Sequence, residues 1–137
     1  MSLLRYIDSQ RGKSFHLGSH DCFTFTNGAW KEVYGHGYAD DFIGTYDGLG
    51  PKSFANNMVK HFGSANLEEA FDSRWTRSSI DELDRGGIVL SATEDRYYTR
   101  HAIGIKTSPV RAVFVGAEDL VYKPLNDCFG GWICQRL

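Results

Sequence analysis

The first half of the chain has hydrophobic residues at helical spacing, in segments that end near a glycine. A period near 3.6 residues is typical of an amphipathic helix, and glycine is common just after a helix C-terminus. Four helices are therefore predicted: one before Gly12, one from Asp21 or Cys22 to Gly35, one that ends at Gly63, and a short one over 67–71.

The second of these predicted helices has an unusual composition. Cys22, Phe25, Ala29 and Val33 fall on one face at helical spacing, whereas Gly28 lies in the middle of the segment. A glycine at an internal helix position costs about 1 kcal/mol relative to alanine. Packing against the rest of the domain must offset that cost, so we expect this helix to be central and buried.

After residue 80 the pattern changes from helical spacing to short β-rich runs separated by turn residues. Five such runs are present, at 81–92, 100–107, 111–117, 120–125 and 130–137. A block of helices followed by a block of strands predicts an α+β fold, with N-terminal helices packed on a C-terminal antiparallel sheet. The chain contains no linker or repeat, so residues 1–137 are predicted to form a single domain.

Composition narrows the functional classes. With 137 residues and a net charge of -2, the chain has no basic surface field to attract nucleic acid. No segment approaches the roughly 18 apolar residues needed to cross a bilayer, and Arg5 and Asp8 interrupt any signal-peptide core. We expect synthesis in a cytoplasm without a signal peptide. Three cysteines, an odd number, leave at least one thiol outside any intrachain disulfide.

Cys22 is the candidate nucleophile, because the start of a helix favours the thiolate over the thiol. His101 opens the apolar run 101–105 and is the candidate general base, since it comes from the predicted sheet rather than from the helical half. Asp21 is predicted to be the N-cap of the helix, a structural role. Each partner also has a structural interpretation, with Cys22 as a buried thiol and His101 as a strand-end imidazole bonded to backbone.

Three segments in this order resemble the NlpC-type papain-like cysteine peptidases: FHLGSHDCFTF around Cys22, then RGGIVL, then RHAIGI around His101. The chain also resembles, more closely, small phage proteins related to that superfamily, with an HDC motif, a G-x-Y element at 44–46 and a late aromatic strand at 131–133. The resemblance implies a papain-like fold and a Cys22–His101 dyad that cleaves peptide stems of peptidoglycan. It also implies a location in the virion at the phage tail tip, with other tail-tip proteins as partners.

The sequence departs from the peptidase pattern in three places. Gly86 and Gly87 stand where a Gly-Asp pair is usual, Gly104 follows His101 by three residues rather than two, and the next strand offers only Arg111 to orient the imidazole. These departures favour an alternative function. In that alternative, the domain keeps the fold with a degenerate site and acts as a structural adaptor at the tail tip.

The sequence contains candidate residues for two further kinds of site. A zinc site built from His16, His20, Asp21 and Cys22 would crowd its ligands into one turn, so no metal and no cofactor are expected. The aromatic residues Phe42, Tyr46 and Trp132 are predicted to line a groove for a glycan-bearing peptide, although core packing is the alternative for Trp132.

Overall fold

The computed structural model describes residues 2–46, 51–94 and 101–133, without the side chains of residues 51, 92–94 and 101. Helices come first and strands follow. The helices are α1 (Leu3–Ser9), α2 (Cys22–Tyr34), α3 (Pro51–Phe62) and α4 (Leu67–Arg74). The strands are β1 (Thr76–Arg77), β2 (Ile88–Glu94), β3 (His101–Lys106), β4 (Arg111–Val115), β5 (Leu120–Pro124) and β6 (Cys128–Ile133), with a 3-10 turn at Leu125–Asp127.

The six strands form one sheet in the order β1-β6-β2-β3-β4-β5, and each neighbouring pair is antiparallel. The predicted α+β class, with helices packed on an antiparallel sheet, is confirmed. Each of the five predicted β-rich runs overlaps one strand, although β2 extends beyond residue 92 and β6 begins before residue 130, and the two-residue β1 was not predicted. The last strand of the described residues, β6, pairs between β1 and β2, so it lies inside the sheet although it comes last in sequence.

The helix ends follow local sequence features in two cases and depart from them in two. Helix α2 ends at Gly35 and α3 at Gly63, with φ of +86° and +81°. The prediction that α1 runs up to Gly12 was wrong, because the helix already ends at Ser9 and Gly12 lies in the following turn. Helix α4 continues to Arg74, three residues beyond the predicted end at residue 71.

The predicted buried face of α2 is only partly correct, since Val33 is 38% exposed. The buried residues cover more of the helix than one stripe: Phe23, Phe25, Thr26, Asn27, Ala29 and Trp30. Phe23 is completely buried, and its ring contacts those of Phe42 and Phe54 at centroid distances of 4.9 and 5.8 Å. Helix α2 therefore packs both on the sheet and against an aromatic cluster, which confirms its predicted central position.

The sheet has hydrophobic residues on both faces. Ile103 and Ile105 of β3 belong to the main core, which the sheet shares with the helices. Ala102 belongs to a smaller core on the opposite face, together with Phe114 and Leu125. Gly104 has no side chain because the Phe114 ring occupies the space a Cβ would need. Within the described residues, no helix is long and apolar enough to span a membrane.

Candidate functional site

The candidate site is built on the first turn of α2, where Cys22 is the first helical residue. Asp21 is the N-cap, as predicted: its backbone is extended and its Oδ1 accepts the Thr24 amide at 2.9 Å. Thr24 returns the contact, since its Oγ1 accepts the Asp21 amide at 2.8 Å. This reciprocal capping box fixes the direction in which the helix begins. It places Cys22, a half-buried thiol, at the positive end of the helix dipole.

The Asp21 carboxylate binds more than the helix it caps. Its Oδ2 accepts the Gly18 amide at 2.8 Å, and the Tyr46 hydroxyl lies 3.0 Å from Oδ1 and 2.8 Å from Oδ2. The carboxyl group is 1% exposed, so these donors replace water around a buried acidic group. One side chain thus joins the turn before α2, the helix itself and the segment that contains Tyr46.

His20 precedes the cap and packs against Phe25, with ring centroids 6.4 Å apart at an interplanar angle of 71°. The two residues hold the N′ and N4 positions of the helix, the arrangement of a hydrophobic staple. His20 is buried, and its Nε2 has no hydrogen-bond partner within the described residues. Burial lowers the pKa of its imidazole, and Lys13 adds to that effect, while Asp21 opposes it.

Two buried tyrosine hydroxyls lie near the first turn. The Tyr38 hydroxyl is 2.7 Å from Thr26 Oγ1, and Thr26 in turn donates to the Cys22 carbonyl. Burial raises the pKa of both Tyr38 and Tyr46, and the neighbouring Asp21 raises both further. Both hydroxyls therefore remain protonated.

His101 is the first residue of β3, where its backbone pairs with that of Glu94. Helix α2 packs on β3, so the two elements that carry the predicted dyad are neighbours. The His101 side chain lies outside the described part of the structure. The pairing of Cys22 with His101 stays a prediction.

Arg111 does not orient an imidazole at position 101. The Thr107 amide donates to the Arg111 carbonyl at 3.0 Å, which places Arg111 beyond the far end of β3 from His101. Its guanidinium stacks over Tyr122 at 4.8 Å from the ring centroid. Gly86 also lies at that far end, with its amide bonded to the Lys106 carbonyl at 2.8 Å.

The prediction of an aromatic groove was wrong for the residues named. Phe42 and Tyr46 are fully buried and Trp132 is 1% exposed. Phe42 and Tyr46 pack against each other with centroids 4.8 Å apart, and Trp132 Nε1 donates to Asp72 at 2.9 Å. These rings form the core, because the small domain needs their apolar area to bury α2 and the helical side of the sheet.

The remaining candidate ligands do not assemble into a metal centre. Within residues 2–46, 51–94 and 101–133, no group of three His, Cys, Asp or Glu side chains is placed to hold a metal ion. Cys128 is a half-buried thiol that donates to the Pro124 carbonyl at 3.6 Å, and burial raises its pKa to about 11. Cys134 lies outside the described residues.

Sequence reasoning found Asp21 but missed most of its partners. The Asp21 to Thr24 spacing is a local capping-box pattern, so Thr24 was recognisable in the sequence. Tyr46 lies 25 residues along the chain from Asp21 and carries no local sign of the contact. Only the tertiary fold brings the Tyr46 hydroxyl next to Asp21.

Comparison with protein families gives one match, which spans nearly the whole chain. A family model described as a domain of unknown function (DUF6950) matches residues 1–133. A comparison with curated proteins gives no match.

Proposed function

The chain belongs to the DUF6950 family, and we propose that it is a cysteine hydrolase with Cys22 as nucleophile and His101 as general base. In this proposal the fold is papain-like and the substrate is the peptide stems of peptidoglycan, as the resemblance around Cys22 and His101 implies. The protein acts at the phage tail tip, next to other tail-tip proteins.

The observation that carries this proposal is the position of Cys22, which is the first residue of the capped helix α2. Helix α2 packs on β3, and His101 is the first residue of that strand. The positive end of the helix dipole stabilises a thiolate at that position. Ile103 and Ile105, which follow His101 along β3, belong to the core that the sheet shares with α2.

The proposed reaction is acyl transfer through a thioester. His101 removes the Cys22 proton as the sulfur attacks the carbonyl carbon, and the Cys22 backbone amide donates to the developing oxyanion. The amine then leaves with the proton held by His101. Water, deprotonated by the same imidazole, attacks the thioester, releases the carboxylic acid and restores the thiol.

The direct test is digestion of purified peptidoglycan, with newly released amino groups as the readout. We expect the wild-type protein and Cys128→Ala, the matched thiol control, to release amines at similar rates. Cys22→Ala and His101→Ala are expected to lose about 10³-fold or more of the rate, because a nucleophile or its base has been removed. Absence of cleavage by wild-type protein across peptidoglycans of different stem chemistry would contradict the proposal.

One observation favours the alternative of a structural adaptor with a degenerate site: Arg111, the residue in line to orient the imidazole, lies at the other end of β3 from His101. The two functions differ in the reactivity of Cys22. An apparent Cys22 pKa near the unperturbed value of about 8.5 supports the adaptor, whereas a value lower by several units supports the enzyme. Alkylation rate against pH, resolved by peptide mass spectrometry, measures this pKa.

A further inference from the structure

The capping box of α2 is complete without Tyr46. Asp21 Oδ1 accepts the Thr24 amide, Thr24 Oγ1 accepts the Asp21 amide, and these two bonds suffice to begin a helix. The cap of α4 illustrates the minimal case, since exposed Asn66 accepts one amide, that of Glu69, at 3.0 Å. The hydrogen bonds between the Tyr46 hydroxyl and the two carboxylate oxygens of Asp21 are therefore not needed to cap the helix.

The Tyr46 hydroxyl is held in place by its own ring. Tyr46 is fully buried, with Phe42 and Phe54 each at a centroid distance of 4.8 Å. A ring packed on two sides has no other rotamer to adopt without opening a cavity. The hydroxyl therefore has a fixed direction, toward the carboxylate of Asp21.

The position of Asp21 creates an electrostatic conflict with Cys22. A carboxylate in the preceding residue disfavours a thiolate, whereas the helix start favours it. Hydrogen bonds to a carboxylate draw negative charge toward their donors and weaken its field at neighbouring groups. The pKa of Tyr46 is raised, first by burial and next by Asp21, so its hydroxyl stays protonated and keeps donating.

We propose that Tyr46 is a positioning residue for Cys22. Its hydroxyl holds the Asp21 carboxylate against the start of α2 and disperses its charge, so that the thiolate forms at a lower pH than it would beside an unshielded carboxylate. This rests on the proposed role of Cys22 as nucleophile, and it deepens that role by naming a residue that acts through Asp21.

The test compares two buried tyrosines that differ in their partner. Tyr46→Phe removes the tyrosine hydroxyl that donates to Asp21. Tyr38→Phe removes a buried tyrosine hydroxyl that is hydrogen-bonded to Thr26 of the same helix. The readout is the midpoint pH of Cys22 alkylation by iodoacetamide, with Cys128 in the same molecule as an internal reference. We expect Tyr46→Phe to raise the midpoint by about one pH unit, which is about tenfold slower alkylation below the midpoint. Tyr38→Phe is expected to shift it much less.

Two further variants separate positioning from support of the fold. With Asp21→Asn already present, Tyr46→Phe should leave the midpoint nearly unchanged, because the charge to be dispersed is gone. 3-Fluorotyrosine at position 46 keeps the ring and strengthens the donor, so it should lower the midpoint even if Tyr46→Phe fails to fold.

Equal midpoints in wild type, Tyr46→Phe and the fluorotyrosine variant would overturn the proposal and leave Tyr46 a structural residue. A shift that persists in the Asp21→Asn background would overturn the route through Asp21. Both outcomes are read from thiol reactivity, so they are independent of peptidoglycan cleavage. If the wild-type protein cleaves no peptidoglycan but the midpoint pH of Cys22 alkylation still depends on Tyr46, the proposed hydrolase function is contradicted and the role of Tyr46 is not.

Discussion

At the scale of single residues, Gly28 shows how a locally unfavourable choice is required by a neighbour. Its place in the middle of α2 costs helix propensity, and no turn or positive φ explains it. The reason is α1: the Tyr6 ring lies over Gly28, and the Tyr6 hydroxyl donates to the Phe25 carbonyl at 2.8 Å. A Cβ at position 28 would overlap the Tyr6 hydroxyl.

This contact reverses the sign of an ordinary helix substitution. Propensity alone predicts that Gly28→Ala stabilises the protein by up to about 1 kcal/mol. We expect a loss of about 1 to 3 kcal/mol instead, because overpacking displaces Tyr6. Urea denaturation measures the free energy of unfolding. In a Tyr6→Ala background the same substitution should become neutral or stabilising, and a loss unchanged by Tyr6→Ala would contradict this explanation.

At the scale of elements, helix caps in this protein differ in how much structure they join. Asp21 is buried and binds the amides of Gly18 and Thr24 as well as Tyr46, whereas Asn66 caps α4 from the surface. Helix α2 contains residues of low propensity, so its stability depends on its cap and its burial.

We expect the two caps to differ in cost when each is replaced by alanine. Asn66→Ala should lose about 1 kcal/mol, the ordinary value for an N-cap. Asp21→Ala should lose about 3 to 5 kcal/mol, because it also leaves the buried Tyr46 hydroxyl and the partly buried Gly18 amide without an acceptor. Chemical denaturation of the two variants checks the difference, and equal losses would show that the additional bonds of Asp21 contribute little.

At the scale of the whole molecule, His20 and Asp41 are among the groups that make stability depend on pH in the acid range. Burial lowers the pKa of His20 below its ordinary 6.5, so the unfolded chain binds that proton first. The hydrogen bonds that Asp41 accepts from Arg74 lower the pKa of the Asp41 carboxyl group below 3.8. The His20 contribution is present above pH 6.5 and is lost as the pH falls toward the folded pKa. The Asp41 contribution is lost only below about pH 3.8.

The free energy of unfolding is therefore expected to fall between pH 7.5 and 5.5, with His20 as a cause. His20→Phe keeps an aromatic ring against Phe25 and removes the titrating group, so its stability should change less over this interval. His36→Gln, at an exposed histidine, is the control and should retain the wild-type slope. Urea denaturation at several pH values measures the slopes, and identical slopes for wild type and His20→Phe would contradict the assignment.

The sequence by itself determined the elements whose ends have local causes. Glycines that adopt positive φ end α2 and α3, and Asp21 begins α2 through a contact three residues away. Alternation and turn residues located five strands. The place of Cys22 at a helix start was predictable for the same reason. Local interactions depend only on neighbouring residues, so periodicity and capping patterns report them.

Only the tertiary structure decided the features that depend on distant residues. The insertion of β6 between β1 and β2, the burial of Phe42 and Trp132, and the bond between Tyr46 and Asp21 are of this kind. The sequence pattern around an aromatic residue is the same whether the residue lies in a core or lines a groove. Its location depends on which other residues pack over it. Burial and long-range hydrogen bonds are properties of the assembled layers, which no local pattern encodes.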